Sequence, residues 1–115
     1  MAIGAAITKK LNGDTSTVYV LMGDGEQQEG QIWEAAMYAP HNKIDNLIAT
    51  IDYNGQQIDG PVDQILSLLS LKAKYEAFGW IVLDLPDGND LEAVLSTLKD
   101  AKSKLGNGKP VMILM

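Results

Sequence analysis

A chain of 115 residues is long enough for one small domain with a real core, and 46% hydrophobic content suits a globular protein. The net charge of −6, from 15 acidic and 9 basic residues, argues against nucleic acid or an anionic membrane surface as the main partner. It does not argue against a phosphate ligand, because one metal ion offsets charge locally. With no cysteine there is no disulfide or thiolate chemistry.

Residues 2–11 read as the end of a small-residue helix, stopped by Asn12-Gly13-Asp14. Its charges, Lys9 and Lys10, follow the apolar run, the reverse of a secretory signal, and read as a solvated helix end. No apolar run nears the ~20 residues of a membrane span, so a soluble cytoplasmic protein is expected. Residues 17–22 form a buried strand. Residues 30–38 carry Ile32, Ala35, Ala36 and Ala39 at helical spacing, and Pro40 is expected to end that helix early. Trp33 and Tyr38 on it read as packing residues, and His41 as a structural hydrogen-bonder.

Residues 47–51 are a second continuous apolar strand, and 54–61 a loop by their Gly and Pro content. Ile65, Leu66, Leu68, Leu69 and Leu71 make an apolar patch before a helix through Phe78, capped by Gly79. Residues 80–85 are a third strand. Asp90 is placed to cap the next helix, with Leu91, Val94, Leu95 and Leu98 on one face. Gly106-Asn107-Gly108 ends it, and 110–115 are a fourth strand. Alternation αβαβαβαβ implies an α/β fold, a four-strand parallel sheet with helices on both faces. The chain starts inside a helical pattern and stops inside an apolar strand, which predicts a piece of a longer protein, truncated at both ends.

Asp24 closes the first strand and Asn54 the second, thirty residues later. In an open parallel sheet, ligands bind beyond the carboxyl ends of the strands. A carboxylate and an amide oxygen meeting there are hard ligands of the kind Mg²⁺ and Ca²⁺ prefer. With one backbone carbonyl, expected from Gln56, they leave coordination positions for phosphate oxygens and water. Gly25 gives a phosphate room to approach the backbone. Either Gly-containing dipeptide alone would be read as a turn; their joint placement points to a metal–diphosphate site. Glu29 and Glu34 have a plainer reading, as a favourable charge near a helix N-terminus and a solvated side chain.

The run Gly23-Asp24-Gly25-Glu26-Gln27-Gln28-Glu29-Gly30-Gln31-Ile32-Trp33-Glu34-Ala35-Ala36 closely resembles the thiamine-diphosphate motif of transketolases, as do Asp45-Asn46-Leu47-Ile48-Ala49 and Asp52-Tyr53-Asn54-Gly55-Gln56-Gln57-Ile58-Asp59-Gly60. The resemblance extends through Phe78-Gly79-Trp80 to the last strand. It implies thiamine diphosphate as cofactor and Mg²⁺ (or Ca²⁺) held by Asp24, the Asn54 side chain and the Gln56 main-chain oxygen. It implies Gly25 as a backbone donor to the diphosphate, Glu26 beside it, and Ile58 near the thiazolium ring. Glu29 and Glu34 become acids of a subunit interface. The implied reaction moves a two-carbon ketol unit between sugar phosphates. The family's substrate-contacting histidines and its activating glutamate fall outside these residues. The chain alone is therefore expected not to turn over substrate. It would need a pyrimidine-binding domain or subunit, within a homo-oligomer. Alternatives are another thiamine-diphosphate enzyme (a deoxyxylulose-phosphate synthase or a 2-oxo-acid dehydrogenase component) or a non-catalytic interaction module with the same fold.

Overall fold

Four runs of branched and apolar residues pair into a single parallel sheet, as continuous apolar strands do when both faces are covered. The computed structural model describes residues 1–115. In chain order the elements are α1 (Ala2–Leu11), β1 (Val18–Gly23), a 3₁₀ turn (Gly25–Gln28), α2 (Gly30–His41), β2 (Leu47–Asp52), a hairpin of β3 (Gln56–Gln57) and β4 (Gly60–Pro61), α3 (Val62–Leu66), α4 (Leu71–Phe78), β5 (Ile81–Asp84), α5 (Leu91–Ser103) and β6 (Val111–Leu114). The sheet order is β1-β2-β6-β5. Gly23 is in register with Asp52, so β1 and β2 end level at the carboxyl edge.

Side chains alternate between two cores. Leu47, Ala49, Ile51, Met112 and Leu114 point toward α1, α2 and α4. Ile48, Val111 and Ile113 point the other way, onto α5. Helices therefore cover both faces, but α5 does not reach β1, whose Tyr19 and Leu21 stay 55% and 68% exposed. No helix is long and apolar enough to cross a membrane.

Several local readings are corrected. α2 runs through Pro40 to His41. Proline removes an amide that would have bonded the Ala36 carbonyl, and the Trp80 indole Nε1–H donates to that carbonyl instead, at 2.8 Å. Residues 56–61 are a short antiparallel hairpin rather than a bare loop. The apolar patch divides: Leu68 and Leu71 are buried, while Ile65, Leu66 and Leu69 face outward. On α5, Asp90 does cap, accepting from the Glu92 and Ala93 amides. The face it packs on the sheet, however, carries the half-buried Val94 and Leu98 and the buried Ala101, continued past the helix end by Leu105, with Leu91 and Leu95 exposed.

At the amino edge of the sheet the lysines of α1 are engaged, not merely solvated. Lys9 pairs with Asp14 at 2.7 Å. Lys10 bonds the Asp45 carboxylate at 2.6 Å and the Lys43 carbonyl at 2.9 Å. Asp45 also accepts from the Gly108 amide, joining α1, the entry to β2 and the entry to β6. Burial, the largest single influence on Asp45, pushes its carboxyl up. The Lys10 ammonium and the Gly108 N–H together outweigh it and hold the group below its ordinary value. His41 is exposed at the end of α2.

Candidate cofactor site at the strand tips

β1 ends at Gly23, and Asp24 follows as the cap of the 3₁₀ turn. One carboxylate oxygen, Oδ1, accepts from the Gly25 amide at 2.7 Å. The other, Oδ2, accepts from the Gly55 amide at 2.7 Å, across thirty-one residues of chain. The two strand tips are thus joined by a direct bond at one edge of the sheet. Asp24 and Gln27 are the two buried polar residues of the protein, 2% and 0% exposed. No lysine, histidine or terminal amine pairs with Asp24; the ion pairs use Asp14, Asp45, Asp84 and Asp100.

Asn54 stands beside this bond on the exposed side of the loop. Its amide oxygen accepts from the Gln56 amide at 2.9 Å, and its Nδ2 donates to Asp52 at 3.1 Å. The loop is further fixed by Val62 N–H donating to the Gly55 carbonyl at 3.0 Å. Gly55 itself has φ +75°, a left-handed conformation that favours glycine. Glu26 turns back onto the strand end, its Oε2 accepting from the Gly23 amide at 2.6 Å. Ile58 is fully exposed. Glu29 and Glu34 are exposed at the start and first turns of α2, away from the Asp24 carboxylate's hydrogen bonds.

Residues that sequence reasoning passed over brace the turn. Gln27 Nε2 donates to the Gly23 carbonyl at 3.2 Å, and its Oε1 accepts from the Tyr75 hydroxyl at 2.6 Å. Burial pushes the Tyr75 phenol well above its ordinary range, so this donor stays protonated. Tyr75 in turn packs edge-on to Trp80 and beside Trp33, an aromatic cluster of the kind worth about 0.5–1.5 kcal/mol per pair beyond buried area. Gln28 Nε2 donates to the Leu66 carbonyl at 2.9 Å. Gln57 lies against Gly25: a Cβ built there would come within 2.9 Å of the Gln57 Oε1 and 3.0 Å of its Cβ. The space that sequence reading reserves for a phosphate is bordered by this side chain. A run of polar residues in loops gives no warning of such roles, since their partners are distant in sequence.

The donors present fit a hard divalent cation. Each oxygen of Asp24 accepts one hydrogen bond and keeps a lone pair, as does the Asn54 amide oxygen. No trio of His, Cys, Asp or Glu gathers in the protein. A site with one carboxylate suits Mg²⁺ shared with phosphates better than an all-protein cage.

Comparison with known proteins bears on the same segment. The model of the transketolase thiamine diphosphate binding domain matches residues 6–115. A subunit of the 6-deoxy-6-sulfo-D-fructose transketolase of Clostridium sp. strain MSTE9 is 44% identical over 114 residues, which are 99% of this chain and 40% of that protein. A subunit of the apulose-4-phosphate transketolase of Phocaeicola vulgatus is 40% identical over the same shares. A transketolase of Pichia stipitis, solved in complex with sedoheptulose 7-phosphate, superposes with a TM-score of 0.87 at 27% identity, covering 99% of this chain and 18% of that one. The chain thus spans 40% of the length of the two curated relatives. Since the matched domain runs unbroken through both strand tips and the loop that bonds them, this chain belongs to the transketolase family and carries its thiamine diphosphate binding domain.

Proposed function

We propose that this chain is the metal-and-diphosphate-holding part of a cytoplasmic transketolase, which transfers a two-carbon ketol unit from a ketose phosphate to an aldose phosphate. The observation that carries this reading is the Gly55 N–H···Oδ2 bond to a buried Asp24 that has no cationic partner. Two backbone amides fix its oxygens in a buried position, where the attraction for a bound cation is stronger than in water. Asp24, Asn54 and the Gln56 main-chain oxygen would hold Mg²⁺ or Ca²⁺; Gly25, Glu26 and Ile58 would contact the cofactor. When bound, thiamine diphosphate supplies carbanion stabilisation, and the protein binds and orients.

The rest of the site is assigned to a pyrimidine-binding domain or subunit. Two of the relatives are named as subunits, which supports a multi-chain enzyme. Exposure of Glu29 and Glu34, with Met37 and Tyr38 also exposed on α2, supports this helix as the subunit contact of an oligomer.

The test is thermal melting of the chain with millimolar Mg²⁺ and thiamine diphosphate. A ligand that binds only the folded state raises the melting temperature by mass action. The wild type should shift upward and Asp24→Ala should not. Unchanged melting of the wild type would favour a non-catalytic module with the same fold, or a site that needs its missing partner. A coupled assay on the isolated chain should show no ketol transfer.

A further inference from the structure

We propose that Gln57 is a further diphosphate-binding residue, its carboxamide donating a hydrogen bond to a phosphate oxygen seated over Gly25. The inference rests on the cofactor reading above and names a residue that the metal and backbone ligands leave out.

Three observations carry it. First, Gln57 is the side chain that meets the Gly25 turn, with Oε1, Cβ and Cδ all within 3.7 Å of the position a Gly25 Cβ would take. An anion approaching Gly25 from the side its Cβ would occupy passes beside this carboxamide, and a half-turn of the amide exchanges the near Oε1 for the Nε2 donor. Second, the side-chain bonds of the loop belong to Asn54 and Asp24, binding the amides of Gln56 and Gly55, and to Asp52. The Gln57 amide group has no bond within the chain, so its two N–H donors are uncommitted. Third, the placement is fixed by backbone rather than chance. Gln57 is in register with Gly60 in the β3–β4 hairpin, and Val62 N–H ties the following segment to Gly55. Alternation along β3 turns Gln57 inward, half-buried, while Gln56 and Ile58 on either side are exposed.

A neutral amide suits this place. It adds a donor to an anion without adding a charge beside Asp24, and hydrogen bonds to charged acceptors are the stronger kind. A carboxylate there would be acceptor-only and would repel a diphosphate.

The test is isothermal titration of thiamine diphosphate, and separately of inorganic pyrophosphate, into the full chain in excess Mg²⁺, with wild type, Gln57→Leu, Gln57→Glu and Gln57→Ala. Circular dichroism and the melting temperature without ligand check that each variant folds. The expected result is a roughly ten- to hundredfold rise in Kd for Gln57→Leu and Gln57→Ala, and a larger one for Gln57→Glu, for both ligands. Unchanged Kd across the variants overturns the proposal while leaving the cofactor reading intact. Tighter binding by Gln57→Ala also overturns it, making the side chain an obstruction. A wild type that binds neither ligand removes the cofactor reading itself, and this inference with it.

Discussion

The Trp80 indole donates its one hydrogen bond to the Ala36 carbonyl at 2.8 Å, the acceptor that Pro40, four residues further along α2, leaves without a helical amide. A tryptophan at the entry to β5 thereby repairs a helix that proline interrupts. Gly79, with φ +99°, ends α4 against the Pro40 ring and brings Trp80 into place. Trp80→Phe keeps an aromatic in the core but leaves the Ala36 carbonyl bare and should cost about 2 kcal/mol. Adding Pro40→Ala restores a main-chain donor, so the double variant should recover part of that loss in urea unfolding. Strict additivity of the two changes would mean the repair is not real.

Asp24→Asn tests the bond between the strand tips without any ligand. An amide of the same shape can accept from only one of the two backbone donors, and its NH₂ group faces the other. Unfolding in urea should show a loss of about 1–3 kcal/mol. A neutral outcome would mean that Asp24 is not holding the Gly55 loop.

At the opposite edge, Asp45 sets an acid dependence. Its folded carboxyl lies below the ordinary value of 3.8 because the Lys10 and Gly108 bonds outweigh burial. The group therefore contributes stability that is fully present above about pH 4 and is lost as pH falls through the lower folded value. The melting temperature of the wild type should fall more steeply than that of Asp45→Asn below pH 4. Parallel curves would assign the acid response to other carboxylates.

The uncovered face of β1 predicts association. Tyr19 and Leu21 stand exposed on a strand that is paired on one side only. Edge strands with apolar faces invite pairing with another chain, and a lysine there blunts it. Sedimentation velocity at rising concentration should show the wild type self-associating and Leu21→Lys less so. A monomeric wild type at high concentration would count against it.

The strands, their parallel sense and the meeting of Asp24 with the Asn54 loop were legible from short-range pattern; the order that sets β6 between β2 and β5 was not. Apolar runs mark buried strands, and residues just past two such runs must share an edge. What was hidden depends on distant partners. Pro40 obeys a local rule that Trp80 overrides from forty-four residues beyond Ala36. Gln27 looks like a solvated turn residue until Tyr75, forty-eight residues on, gives it a buried bond. On α5, helical spacing admits two stripes through Val94 and Leu98; only contact with β5 and β6 selects the one through Ala101.

Level alignment of Gly23 with Asp52 has a final consequence. Sliding β1 by a single residue would turn its side chains to the other face of the sheet, carrying Asp24 away from the Gly55 amide. Neither segment can prepare that grip by itself. The Asp24–Gly55 bond therefore waits on correct pairing of β1 with β2, and a mispaired chain would lose that bond with its helix content still intact.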